Sequence, residues 1–193
     1  MDAFLAASQP WLAARVAEAE RPSALGLDRP GVVWLGGEPL PVVRRGSVGP
    51  RPAAGRPGAA LRGGRLVVSG TDAAAAAAIE RWYRREARAR LETGVAAEAP
   101  VLGVRPARVT VRDTASRFGS CSSTGTLSFS WRLVVAPPAV LDYVVVHELC
   151  HLREPNHSRR FWRLVESRRP DWCVQRDWLN EHGPELLAFR PAA

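Results

Sequence analysis

The stretch HELCHLREPNH, His147 to His157, gathers three of the chain's four histidines into one short segment. On a helix, His147 and His151 stand one turn apart and project from the same side. Zinc takes nitrogen ligands about 2 Å away in a tetrahedral array, and two imidazoles at i and i+4 meet that demand. Glu148 lies one step around the helix, close enough to touch a metal-bound water without ligating the metal itself. Pro155 ends such a helix and Asn156-His157 turns the chain, so His157 can approach from another direction. Its distance along the chain from His147 matches the third histidine of H-E-x-x-H-x-x-G-x-x-H, with Glu154 where that pattern has glycine. Glu166, on the next helical stretch, is an alternative third ligand.

The competing reading is a buried helix whose histidines are hydrogen-bonded and hold nothing. Val144-Val145-Val146 before the motif and Leu149 and Leu152 within it do indicate burial. Burial does not oppose the metal reading, because three buried imidazoles and a carboxylate without a metal would leave several polar groups costly to satisfy. Chance placement of the chain's histidines and glutamates gives H-E-x-x-H in roughly one such sequence in two hundred, and His157 makes the coincidence rarer still. Three protein ligands leave one position open for water, which marks a catalytic rather than a structural zinc. The metal lowers that water's pKa and polarises the electrophile, and Glu148 serves as general base and then general acid. The chemistry so implied is hydrolysis, and the bond usual for such helices is a peptide. Cys150 between the ligands reads as a small buried residue, and His182 as a structural residue at a helix end.

Several elements must position these groups. Residues 1–20 read as an amphipathic helix, and GVVWLGGEPLPVV (31–43) as a hairpin around Gly36-Gly37. Residues 44–64 are dense in Gly, Pro and Arg and read as a loop or flexible insertion. RLVVS (65–69) is a strand candidate. A helix follows, capped by Thr71 or Asp72 and ended by Thr93-Gly94, with Ile79, Trp82, Tyr83 and Leu91 as its buried stripe. The arginines between Arg81 and Arg90 read as a solvated face. Residues 107–113 read as a strand, and 117–135 as two strands around Ser123-Thr124-Gly125. Pro137-Pro138 open the helix carrying the motif, which Pro155 stops near Arg153 or Glu154. Ser158 caps the next helix, and Asp171 a last one closed by Gly183-Pro184. The hairpin just before the motif helix is placed where an edge strand can pair with an extended substrate.

The composition bounds the rest. The chain of 193 residues is long enough for a real core, and no run of residues is apolar enough to cross a membrane. Its N-terminus lacks the pattern of a signal peptide. Cys121, Cys150 and Cys173 are odd in number and form no C-x-x-C pair, which fits a reducing compartment and points to the cytoplasm. The net charge of +8 comes wholly from arginine, with no lysine in the chain. That bias, with abundant Ala, Gly and Pro, is the mark of a GC-rich genome, so it is weak evidence for a nucleic-acid partner.

RFGSCSSTGTLSFSWRLVV, followed by VVVHELCHLREPNHSRRFW, resembles the YgjP-like metallopeptidases, also described as metal-dependent hydrolases and related to the SprT and WLM zincin-like proteases. The resemblance is strong over about residues 115–185 and weaker from WLGGEPLPV through RWYRREARARL. It implies an α+β minimal zincin fold: a small sheet packed on the HELCH helix, a helical C-terminal third and a β-rich N-terminal part. It also implies Zn2+ held by His147, His151 and His157, with Glu148 catalytic. On this reading residues 1–70 hold the N-terminal helix and β-rich part with the loop at 44–64, and residues 71–193 form the metallopeptidase domain. The family's usual R-W-G-S-C is Arg117-Phe118-Gly119-Ser120-Cys121 here, and its F-N-W-R-L is Phe129-Ser130-Trp131-Arg132-Leu133. Phe118 keeps an aromatic, whereas Ser130 replaces a longer hydrogen-bonding side chain. The expected partner is a peptide or protein substrate, with no membrane. A nucleoside triphosphate is the alternative substrate, with Arg117, Arg132 and the Arg81–Arg90 helix facing its phosphates. A DNA-associated protease is the third reading.

Overall fold

In a computed structural model of the chain, residues 24–45 and 58–191 are described. The helix expected over residues 1–20 lies outside them, as do residues 46–57 of the expected loop. Two Gly-Gly turns organise the first sheet. Strands β1 (Val32–Leu35) and β2 (Glu38–Arg44) form the expected antiparallel hairpin, with Gly36 and Gly37 at φ 65° and 80°. Two consecutive positive φ values define the turn whose twist suits a two-residue hairpin, and glycine adopts them without a Cβ penalty. The same device recurs at Gly63-Gly64 (φ 54° and 72°), which joins β3 (Ala59–Arg62) to β4 (Arg65–Val68). Residues 59–62, read from sequence as loop, are therefore strand: the second glycine pair is a hairpin turn and not loop composition. The sheet order is β1-β2-β4-β3, with β2 and β4 parallel.

The alanine-rich segment forms helix α1 (Asp72–Leu102), 31 residues long. It does not stop at Thr93-Gly94 as expected. A Cβ at Gly94 would sit 3.5 Å from both methyls of Val145, an ordinary contact, so this glycine lies inside a packed helix and breaks nothing. The helix ends at Gly103 (φ 64°), whose N–H reaches the carbonyls of Ala99 and Pro100. Ile79, Trp82, Tyr83 and Leu91 are buried as expected. Three arginines of this helix are tied to neighbours: Arg84 to Glu80 and Asp113, Arg88 to Glu92, Arg85 to the Ala59 carbonyl.

The second sheet has three strands, β5 (Arg108–Arg112), β6 (Gly119–Cys121) and β7 (Thr126–Ser130), in the order β5-β7-β6. The β6–β7 hairpin is the expected one, and β7 also pairs parallel with β5. The expected second strand ends early, because residues 131–134 form a 3-10 turn. Ser130 starts it, its hydroxyl accepting the Arg132 N–H at 3.4 Å. Gly36 and Gly37 of the first hairpin donate to the carbonyls of Val134 and Val135 at 2.8 and 2.9 Å, docking one sheet's turn on this segment.

Three further helices complete the chain: α2 (Pro138–Cys150), α3 (Arg159–Arg168) and α4 (Trp172–Ala188). Pro138 opens α2 as expected, and Ser158 caps α3 through its hydroxyl at 3.3 Å from the Phe161 N–H. Asp171 precedes α4 but its side chain caps nothing, bonding instead to Gln175 at 3.0 Å. Helix α4 runs through Gly183-Pro184, where an end was expected. Leu186 beyond it is wholly buried and Gly183 packs on Phe118, so tertiary contacts override the local stop signal. One core joins α1, α2 and both sheets, and at one end Tyr83 stacks on Trp131 while Phe189 meets both rings at steeper angles. Tyr83 also accepts the Trp34 N–H at 3.0 Å and donates to the Trp34 carbonyl at 2.9 Å, fastening the first hairpin to α1.

Candidate active site

Helix α2 is buried along Val144, Val145 and Val146 and again at Leu149 and Cys150. Its remaining face carries His147 and His151. Regular helix ends at Cys150, earlier than the Arg153 or Glu154 expected from Pro155, and His151 keeps helical dihedrals as the capping residue. The next residues tighten, Leu152 and Arg153 donating to the carbonyls of Leu149 and Cys150 three residues back. That tightening directs the chain through Pro155 and Asn156 so that His157 returns to the helix it has just left.

One ring nitrogen from each of His147, His151 and His157 falls within 4.8 Å of the others. The Nε2 atoms of His147 and His157 are 3.1 Å apart. Two nitrogens on a tetrahedral zinc are separated by about 3.3 Å, so the pair is spaced for a shared cation. The second nitrogen of His151 fixes its tautomer. Nδ1 of His151 lies 3.2 Å from the Glu154 carbonyl, which only accepts, so Nδ1 carries the proton and Nε2 presents a lone pair. Nδ1 of His147 faces the Tyr143 hydroxyl at 3.4 Å. Burial, followed by the neighbouring His151 and His157, pushes His147 down to about 3, and burial lowers His151 as well. Both stay neutral at ordinary pH, the state in which imidazole ligates a metal. Phe161 is wholly buried beneath all three rings, with centroids 4.9, 4.5 and 4.8 Å from those of His147, His151 and His157.

Glu148 points from α2 toward strand β6. It is 5% exposed, and its Oε2 has no hydrogen-bond partner. A buried carboxylate oxygen without a partner is costly in a core and ordinary in a site that takes up water or a ligand. Burial raises its pKa to about 7, against the opposing charge of Arg117. The close neighbour of this carboxylate is a backbone: a Cβ at Gly119 would lie 2.5 Å from Oε1 and 2.7 Å from Cγ of Glu148. Gly119 is not among the glycines with positive φ, so the position demands space and not an unusual conformation.

The remaining candidates fall elsewhere. Glu166 is exposed on α3 and outside the histidine cluster. Cys150 is wholly buried, its thiol pushed up to about 11 mainly by burial. His182 sits inside α4 against Trp178, not at a helix end. Ser130 is fully buried and occupied with its turn, so this departure from the family pattern faces no substrate. Phe118, the other departure, fills space against Gly183. Arg132 is wholly buried, ion-paired with Asp113 and bonded to the Phe189 carbonyl at 3.0 Å, and therefore faces no phosphate. Sequence reasoning missed Gly119, Tyr143, Phe161 and Trp162 as parts of the site. Tyr143 lies one turn before His147 and was legible as its neighbour; the other three needed the fold.

A family model described as "YgjP-like, metallopeptidase domain" matches residues 1–182. A comparison with curated proteins finds no match. Among solved structures, the metallopeptidase zymogen of Pyrococcus abyssi abylysin aligns at 23% identity and a TM-score of 0.43, over 47% of this chain and 93% of that one. The family match runs through both sheets and reaches into α4, taking in the histidine cluster and the strand that leans on Glu148. The chain thus belongs to the YgjP-like metallopeptidase family, and is a hydrolase.

Proposed function

We propose that the protein is a zinc-dependent metallopeptidase in which His147, His151 and His157 hold the metal and Glu148 moves the proton. The observation that carries this reading is the convergence of three imidazole nitrogens within 4.8 Å, next along the helix to a buried carboxylate oxygen without a partner among the described residues. Zinc, when bound, supplies a Lewis acid that acidifies water and polarises a carbonyl. Glu148, poised at about 7, can take a proton from attacking water and return it to the leaving amine at neutral pH. Gly119 leaves the space this carboxylate needs, and Arg117 keeps its pKa from rising further.

Strand β6 is the edge of its sheet and lies beside α2. Phe118 accepts from Ser130 and Ser122 donates to Thr126, so alternate residues of the strand bond to β7. By that alternation the backbone groups of Gly119 and Cys121 face the open edge, where an extended peptide can add a strand. An edge that no described strand pairs with, next to the proton-transfer group, favours a peptide over a nucleotide, and the burial of Arg132 removes one phosphate contact the alternative required. A cytoplasmic setting belongs to the same reading and is supported by three free thiols.

The experiment is the metal content of purified protein, wild type against His157→Ala. One zinc per chain, lost or strongly weakened in the variant, is expected. Zinc retained undiminished would remove His157 from the ligand set, and no zinc in the wild type after reconstitution would end the metallopeptidase reading.

A further inference from the structure

His157 is the exposed member of the histidine cluster, and it stands in a turn and not on a helix. Among the described residues its Nδ1 has no hydrogen-bond partner, in contrast to the Nδ1 atoms of His147 and His151. A ligand held so loosely would lose freedom on binding, which weakens affinity unless its ring is fixed beforehand. Neighbouring side chains do fix it. The imidazole stacks on Trp162 with centroids 5.6 Å apart and planes 23° from parallel. Trp162 stacks in turn on Trp172 at 4.2 Å and 19°. The Arg176 guanidinium covers Trp172 at 4.9 Å and is itself held by Asp177 at 2.8 Å.

This ladder crosses from α3, which carries Trp162, to the first turns of α4, which carry Trp172 and Arg176. Trp162 is engaged by two rings, and Trp172 by a ring and a cation. Each indole is half-buried and engaged within the ladder. An imidazole that donates to a cation becomes electron-poor and is drawn to the negative face of an indole, so the stack tightens when the ligand is in use.

We propose that Trp162, backed by Trp172 and Arg176, is a positioning residue for His157, and that it couples the third ligand to the start of α4. The inference rests on the zinc reading of the cluster. Its test is the zinc dissociation constant of the full chain, measured by competition with a chromophoric chelator, together with the visible spectrum of the cobalt-substituted protein. Trp162→Ala is expected to weaken zinc binding roughly ten- to a hundredfold, the usual effect of losing a residue that orients a ligand, and to shift the cobalt bands. Trp162→Phe keeps a ring and recovers part of the affinity, while Trp172→Ala weakens binding by a smaller factor with little change in the metal-free protein's thermal unfolding. Wild-type affinity and an unshifted cobalt spectrum in both alanine variants, with His157→Ala losing zinc, would overturn the inference and leave the metal reading intact. A wild type that binds no zinc overturns both, before any substitution is made. If Trp162→Ala does not fold, the Trp162→Phe and Trp172→Ala constants decide the matter: values equal to wild type refute the ladder, weakened ones support it.

Discussion

Among the described residues three charged side chains are buried, Glu98, Arg132 and Glu148; Glu98 is ion-paired with Arg168 and Arg169, and the other two are treated in opposite ways. Arg132 is wholly enclosed at the aromatic end of the core, where it is ion-paired with Asp113, bonded to the Phe189 carbonyl and laid over the Trp131 ring at 4.4 Å. One of its terminal nitrogens still lacks a partner, yet the charge itself is matched. Glu148, on α2, is almost as enclosed, but among the described residues nothing bonds its Oε2, and the charge of Arg117 offsets its burial only in part. Buried charge that serves the fold is normally paired, because an unpaired ion gives up its hydration for nothing. Arg132 follows that rule and ties β5, the 3-10 turn and the end of α4 together. Glu148 breaks it beside three converging imidazoles, which is the arrangement expected of a group that works on a ligand and not on the fold.

If that contrast is real, the two sites fail differently. Glu148→Gln should lower turnover roughly 10²- to 10⁴-fold, the range that a positioned acid–base group supplies, with zinc content unchanged. Peptide-cleavage assays beside metal analysis check this, and turnover at the wild-type rate would refute the proton-transfer role. Gly119→Ala should act through the same carboxylate, since its methyl would have to occupy space within 2.5 Å of Oε1. A displacement of about 1 Å can cost roughly 10²-fold in rate, so the loss should approach that of the glutamine variant while zinc stays bound. Full activity in Gly119→Ala would mean that β6 yields and that the tight approach has no catalytic role.

The same contrast separates what was legible in the sequence from what was not. His147, Glu148 and His151 were readable because a helix converts spacing into direction, and Ser158 and Pro138 were readable as helix starts for the same local reason. The β6–β7 hairpin and the Gly36-Gly37 turn were announced by their glycines. Helix ends were read less well, because Gly94 and Gly183 each pack against a residue distant in the chain, Val145 and Phe118, and a glycine inside a packed helix looks in sequence like one that stops it. Gly119 was invisible for a related cause: its reason for being glycine is the Glu148 side chain, 29 positions further on and brought close only by packing β6 on α2. The stack under His157 joins two helices, and no local pattern encodes it.

The smallest effect expected is at the paired charge. Burial alone would raise the pKa of Asp113, but the hydrogen bond and charge of Arg132, with Arg84 and Arg190 adding, hold it below the usual carboxylate value. A depressed acid stabilises the fold above its unfolded pKa and loses that contribution as pH falls through its folded pKa. Asp113→Asn should therefore cost about 1–2 kcal/mol at neutral pH, less than the roughly 3–5 for breaking a fully buried pair. The discount follows from a side chain 43% exposed, where water takes over part of the carboxylate's role. Below the ordinary carboxylate range the wild type loses its advantage, and the two denaturation curves should converge. Zinc affinity should be the same in both proteins, since this pair serves the fold and not the metal. A stability gap that persists unchanged into acid would show that Arg132 is held by packing and the Phe189 carbonyl alone, and the distinction between the two buried charges would then rest on Glu148 only.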